Sequence, residues 1–537
     1  MITHIVRKDW RLLWPLVLLV TAFQILLGWL SFRWGYFGED LAARTLFPAL
    51  NAAWYLGIVA LVVAAVHQDP IPGVSQDWLI RPVRRRDLLF AKVLFVVAAV
   101  SLPMLVVDLL DARGAGFALS QALGPTAVKE LYVLLTLVVP LLALASVTEN
   151  WPQIVIGSAG LMVLFALCLI AATFAIGPGR CPTCGTGLRW IQSLLEHGAV
   201  LLGALLILRL QYFQRHTHGA RWLIAAGVIL FAFVQLPWHT AFAIQQLFSA
   251  APGDAASVAV GFDPAADRAA MAPSRAAPEV SAARAARALL SGNADNAAEY
   301  LRHRALPDAA PVAIELPLRI TGVPRGGRLQ VDRSEIRLFE ADGRLVYRSA
   351  NGGELAGLNV ASDGATSHQT IELPTALYRQ WAQRPLRLEI TYSLALLRLS
   401  ATYAMAAAAG DLRSAELGRC ESQLKRDASE INLRCKQVGL GPACYTVTLE
   451  GPSGEFNPAI QDCTPDYRPF AAQWSSPLTF FGIDVPVHDN AGQVHYPVPV
   501  AQIPDSRLLV TTYRVSDHFT RTLTSPALLL GDWQTQR

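Results

Sequence analysis

Charge is the scarcest commodity in these 537 residues: Asp, Glu, Lys and Arg together make 16% of the chain, while 53% is hydrophobic and mean hydropathy is +0.35. Soluble globular proteins carry about a quarter charged residues, so an ordinary soluble enzyme is excluded, as are a disordered chain and a nucleic-acid-wrapping one. Familiar catalytic signatures are missing too. No G-x-x-x-x-G-K-[ST] phosphate loop, no G-x-S-x-G and no H-E-x-x-H occurs anywhere. Cysteine is sparse, at seven, and no internal repeat stands out.

What is present divides in two. Residues 1–245 hold 17 Lys and Arg against 11 Asp and Glu, whereas residues 246–537 hold 28 against 30. The surplus positive charge therefore lies in the oily part, where it reports topology. A hydrocarbon core of about 30 Å takes roughly 20 apolar residues as a helix. Leu12–Leu30, Leu46–Val66, Ile154–Gly177 and Trp222–Ile244 qualify with no charge, and Leu131–Val147 is shorter but equally clean. Leu88–Leu110 contains Lys92 and Asp108, and Trp190–Leu210 contains Glu196 and Arg209, near ends from which long side chains reach the interface. The expectation is a helical polytopic membrane bundle of about seven spans. The first run is long for a signal peptide and no A-x-A site follows it, which predicts a retained anchor.

Orientation follows from Lys and Arg in short loops. With a cytoplasmic N-terminus the inner side collects Arg7, Lys8, Arg11, Arg81, Arg84, Arg85, Arg86, Lys92, Arg209, Arg215 and Arg221. The outer side then collects Arg33, Arg44, Arg113, Lys129, Arg180 and Arg189. Cysteine agrees with this choice. Cys168 falls within a span, and the other six, Cys181, Cys184, Cys420, Cys435, Cys444 and Cys463, all face the oxidising side. The last four allow three pairings, all open at this point.

Residues 246–310 read as an Ala- and Pro-rich linker with a helix over Ser281–His303. From residue 311 the chain alternates as strands, over Ile314–Thr321, Gln330–Phe339, Arg344–Arg348, Leu386–Ser393, Tyr445–Leu449 and Leu508–Val515, with glycine turns between several. This predicts a mainly β, sandwich-like soluble domain over 311–537, with residues 401–440 more helical.

Four kinds of patch carry candidate chemistry. Cys181-Pro-Thr-Cys184 has the spacing of a redox dithiol, which would make the chain an envelope thiol oxidoreductase; equally it is a local disulfide, or half a zinc knuckle without a second pair of ligands. Glu39-Asp40 and His216-Thr-His218 are solvated loop pairs that gain metal or acid–base chemistry only with further ligands. Glu196-His197 is an intramembrane polar pair, suited to translocation or proton transfer or to headgroup exposure. The fourth is the inner loop from His67 to Lys92. There Asp77, Trp78, Leu79 and Ile80 precede Arg81-Pro82 and the basic run Arg84-Arg85-Arg86-Asp87. Such a loop lies on headgroups or presents a small helix to a cytosolic partner, and its arginines also satisfy the positive-inside rule unaided.

The stretch Arg81-Pro-Val-Arg84-Arg85-Arg86-Asp87-Leu-Leu-Phe-Ala-Lys92 resembles the RP-[VIL]-S-R-x-[DE]-[LI]-L-x-[AG]-K loop of ABC-2-type transporter permeases, and Ile2–Trp10 is similar to that family's in-plane elbow helix. The resemblance implies a permease subunit of an export system in a bacterial inner membrane, working as a homo- or heterodimer. It implies a separate cytosolic ABC ATPase that binds the ATP, with no cofactor in this chain and no nucleic-acid partner. Asp77, Trp78, Arg81, Pro82, Arg84, Arg85, Arg86 and Asp87 become the implied ATPase contacts. The family's six spans leave the seventh as a tether for the extracytoplasmic domain. A membrane-anchored scaffold or sensor is the non-transport alternative.

Overall fold

The computed structural model describes residues 1–34, 41–69, 84–176, 188–233, 236–264, 312–352, 366–414, 416–424, 430–438, 444–452, 454, 460–463, 478–486 and 500–534. Six helices are long and apolar enough to cross a membrane. They are α1 (Ile2–Trp34), α2 (Leu41–His67), α3 (Arg85–Gly114), α4 (Leu119–Ser146), α5 (Trp151–Ile176) and α6 (Trp190–Gln214). Three of them contain short π-helical stretches, Val97–Ser101 in α3, Leu134–Val138 in α4 and Leu210–Gln214 at the end of α6. The first two lie just before a proline, Pro103 or Pro140. A proline inside a helix removes one backbone donor and crowds the preceding turn, and the widened turn accommodates that.

The bundle is held by an apolar core with Val17 and Val20 from α1, Trp54, Ile58 and Leu61 from α2, Phe95 and Val100 from α3, and Val138 and Leu142 from α4. A Cβ placed on Gly28 would come within 2.8 Å of Val107, so glycine is what lets α1 lie this close to α3. Outward-facing positions are large and apolar, as on α5, where Val155, Ile156, Met162, Val163 and Leu167 are exposed. In water such a face would be a liability; against lipid it is the expected surface.

After α6 comes α7 (Thr217–Phe233), 17 residues or about 25 Å long, and then a separate short helix, α8 (Trp238–Gln246). The single apolar run Trp222–Ile244 is therefore divided between two helices, with Pro237 at the N-cap of the second. Arg221 at the start of α7 donates to the carbonyl of Val147, in the α4–α5 turn. At the other end, Trp190 of α6 donates to Gln245 of α8.

The C-terminal region is rich in β-sheet. A three-stranded sheet has the order β1-β2-β5, with β1 (Ala259–Phe262), β2 (Val312–Thr321) and β5 (Thr366–Leu373). A six-stranded sheet runs β11-β10-β13-β6-β3-β4, built from β3 (Gly327–Phe339), β4 (Leu345–Gly352), β6 (Leu386–Ala406), β10 (Cys444–Glu450), β11 (Ile460–Cys463) and β13 (Arg507–Leu528). A four-stranded sheet has the order β12-β9-β8-β7, with β7 (Asp411–Ser414), β8 (Gly418–Leu424), β9 (Glu430–Val438) and β12 (Leu478–Pro486). A short helix, α9 (Thr375–Trp381), links β5 to β6. All pairings are antiparallel. Strands β6 and β13, of 21 and 22 residues, run through the whole region and serve two cores. In one, Ile314, Leu316 and Ile371 of the small sheet meet Ile336, Leu338, Leu388 and Ile390 of the large one. In the other, Ile431 and Leu433 meet Val447, Leu449, Leu508 and Val510.

Residues 401–440 are not helical. Strand β6 continues to Ala406, and β7, β8 and β9 follow. Helix-forming residue types are common here, but burial alternates strictly along Gly418–Leu424 and Glu430–Val438. Period two wins because one face of each strand is covered by the large sheet. Cys420 stands opposite Cys435 across β8 and β9, and the two form a disulfide. Cys444, opposite Cys463 in β10 and β11, is also disulfide-bonded. The Ser281–His303 helix lies outside the described residues, whereas β1, within 246–310, pairs with β2.

Candidate functional site

The basic run is rooted in a buried ionic cluster. Lys92, 1% exposed on the second turn of α3, donates to Asp9 Oδ2 of α1 at 2.9 Å and to Asp69 Oδ2, just past α2, at 2.7 Å. Lys8 donates to both oxygens of Asp69 at 2.8 Å. Two cations and two anions thus join three helices, with no net charge left over. Burial works against ionisation of Asp69, but the ammoniums of Lys92 and Lys8 outweigh it and hold that carboxyl below its ordinary range. Lys92 does not reach the interface from the end of its span: its partners are inside.

Asp69 is the last described residue before the loop and Arg84 the first after it. Arg84 adopts an extended conformation as N-cap of α3, and its carbonyl accepts from the amide of Asp87 at 2.9 Å. Asp87 complements the positive end of the helix dipole; Arg85 and Arg86, in the same turn, oppose it. Arg86 is steered over the ring of Phe213 at the end of α6, 5.2 Å from its centroid. Asp77, Trp78, Arg81 and Pro82 lie outside the described residues, as do Cys181, Cys184, Glu39 and Asp40.

Glu196 and His197 are half-buried on α6. Glu196 accepts from Gln192 at 2.7 Å, and His197 Nδ1 shares a 3.0 Å hydrogen bond with the Tyr132 hydroxyl of α4. They stand apart from the Asp69 cluster. His216 and His218 are exposed, and no group of three or more metal-ligating side chains occurs among the described residues.

A second buried cluster went unread in the sequence. Lys129 donates to Asp108 and lies 3.5 Å from Glu130; the three are 1%, 3% and 7% exposed. Lys129 is therefore not a loop residue, because α4 begins ten residues earlier at Leu119. Asp108 likewise does not reach outward. The available signal was a lone acid in one apolar run and a Lys-Glu pair just ahead of the next.

The β region meets the bundle at the end opposite the Asp69 cluster. Trp238 of α8 donates to Ser393 of β6 at 3.0 Å and lies under the Arg333 guanidinium. Gln245 joins Trp190 to His518 Nε2 of β13, and Val438 packs on Ala112, Ala115 and Ala122 around the α3–α4 turn. Glu335 beside this junction is held below its usual range: burial opposes that, but Arg337, Arg348 and His239 prevail.

No family model matches the chain, and no curated protein matches it. Among solved structures, red sea bream transglutaminase is similar over 40% of this chain and 29% of that one, at 8% identity and a TM-score of 0.12. At that score neither fold nor activity carries across.

Proposed function

We propose that this chain is the membrane-spanning subunit of an ABC-2-like export system, driven by a separate cytosolic ATPase that docks on the Asp77–Asp87 loop. In this reading the N-terminus is cytoplasmic, the membrane is a bacterial inner membrane, and α7 is a seventh crossing that carries a sandwich-like domain outside. Two permease subunits, identical or not, complete the system, and ATP stays on the partner.

The supporting observation is the Lys8–Asp9–Asp69–Lys92 cluster. Asp69 at one described end of the loop and Lys92, about two helical turns beyond Arg84 at the other, join it to α1, α2 and α3, so a force applied at the loop reaches three spans at once. The arginines add to this. Arg85 and Arg86 in a first helical turn cost their own helix about 0.3–1 kcal/mol each; an acidic docking partner accounts for them, as does the positive-inside rule.

Copurification from the native host in mild detergent tests the reading. An ATP-binding-cassette subunit is expected with the wild-type chain. It should be lost from a variant with Arg84, Arg85 and Arg86 all changed to Ala, whose thermal unfolding stays unchanged. Recovery of the wild-type chain without any ATPase, or equal recovery of an ATPase by the triple variant, overturns it.

A further inference from the structure

The two buried clusters of the bundle differ in their charge count. The Asp69 cluster balances, but Asp108, Lys129 and Glu130 place two carboxyls around one ammonium. All three lie inside spans, roughly two to three helical turns from the α3–α4 turn. Among the described residues no other charge makes up the difference. The ionisable groups acting on Asp108 are Lys129 and Glu130, and those acting on Glu130 are Lys129 and Asp108. Along α1, packed against α3, no ionisable side chain occurs between Arg11 and Arg33. On α3 itself Asp111 and Arg113 lie closer to the turn. On α6, Glu196 is engaged by Gln192 and His197 by Tyr132. An unbalanced negative charge among apolar helices is strongly disfavoured, and binding a cation removes that penalty.

We propose that Asp108 and Glu130 hold one proton between them, making a proton-binding site within the membrane half of this protein. Two observations favour a proton over a metal ion. As a carboxylate, Glu130 has no hydrogen-bond donor for either oxygen, although both are buried. Its carboxyl and that of Asp108 flank the same buried Lys129 ammonium. Two ionised carboxylates crowded around one ammonium repel each other, and a single shared proton removes that repulsion. With the proton bound the cluster is neutral and stays sealed. When the proton leaves to water, the residual negative charge favours a bundle opened at this level, so proton release and helix movement are coupled. The inference is independent of any ATPase.

Infrared spectroscopy of the purified chain in lipid nanodiscs tests it, through the C=O stretch of a protonated carboxyl and its downshift in D2O. Difference spectra at neutral pH should show one such band in the wild type that is missing from Glu130→Gln and equally from Asp108→Asn, since either change leaves a balanced pair. Lys129→Met should instead gain a second protonated carboxyl. The two neutralising variants suffice even where Lys129→Met fails to fold. A wild-type band unaffected by either neutralising change, or no band at all, overturns the proposal. A band abolished by sodium or potassium at constant pH overturns it too, in favour of a metal ion.

Discussion

In the bundle, Lys92 is 1% exposed and Asp9 fully buried, and their contact is sealed by helices on every side. In the β region the corresponding pairs sit at the rim: Arg398 with Asp254 and Arg344 with Glu340 leave guanidiniums 38% and 67% exposed. The bundle uses the compact ammonium of lysine in a dry site, and the β region the planar fork of arginine in a wet one. Deep pairs draw most of their worth from the penalty of breaking them, whereas rim pairs are screened and worth little alone. Both regions are thus built on apolar cores, to which the bundle adds buried charge and the β region adds disulfides.

That contrast sets an order of expected effects. Lys92→Met strands Asp9, leaves Asp69 with Lys8 alone and should cost about 3–5 kcal/mol, read as a large fall in thermal midpoint in detergent. Adding Asp9→Asn restores balance and should recover part of the loss; if it does not, packing rather than charge holds this end together. Next comes the disulfide. Replacing Cys420 and Cys435 by Ser should cost about 2–4 kcal/mol, concentrated in β7–β9 and β12 and visible as new protease cleavage there, with midpoints of the helical part unchanged. The smallest effect belongs to the rim pairs. Asp254 and Glu335 are depressed below ordinary carboxylates, the first by its hydrogen bond to Arg398, the second by Arg337, Arg348 and His239 despite burial. Their contribution is complete above the unfolded value near pH 4 and fades as pH falls through the lower folded values. It should amount to roughly 1 kcal/mol or less per pair. A thermal midpoint of the β region that is flat from pH 7 to 5 and declines only below about pH 4 is the expected profile.

Much of the architecture could be read from residue order alone. Uncharged runs near 20 residues mark spans, and alternation marks β2, β3 and β10 at nearly their observed positions and the first part of β4, β6 and β13. The failures share a physical origin. Hydropathy treats each charge as if it stood alone, so Lys129 and Glu130 hid the first half of α4, while the partner that makes Lys129 tolerable is 21 residues away on another helix. Residues 401–440 misled because composition was weighed above period; Glu430-Ile-Asn-Leu-Arg-Cys-Lys436 alternates throughout. The division of Trp222–Ile244 into two helices was signalled by Pro237. For the candidate site, the arginines were conspicuous, whereas the acids that anchor their loop were not: Asp9 and Asp69 gain meaning only when α1, α2 and α3 come together.

Strand β13 lies between β10 and β6 in the middle of the large sheet, although its residues follow every other strand in the chain. During synthesis, β6 has no neighbour on that side for 100 residues after it has been made, and both β cores lack a wall. The region therefore cannot close progressively as it emerges, and its long-range pairing is intrinsically slow. Its exposed edges wait for the final strand, a window in which another chain can pair with them. Assembly of this half depends on the arrival of Arg507–Leu528, and protection of the unfinished sheet is the task that its topology leaves to the cell.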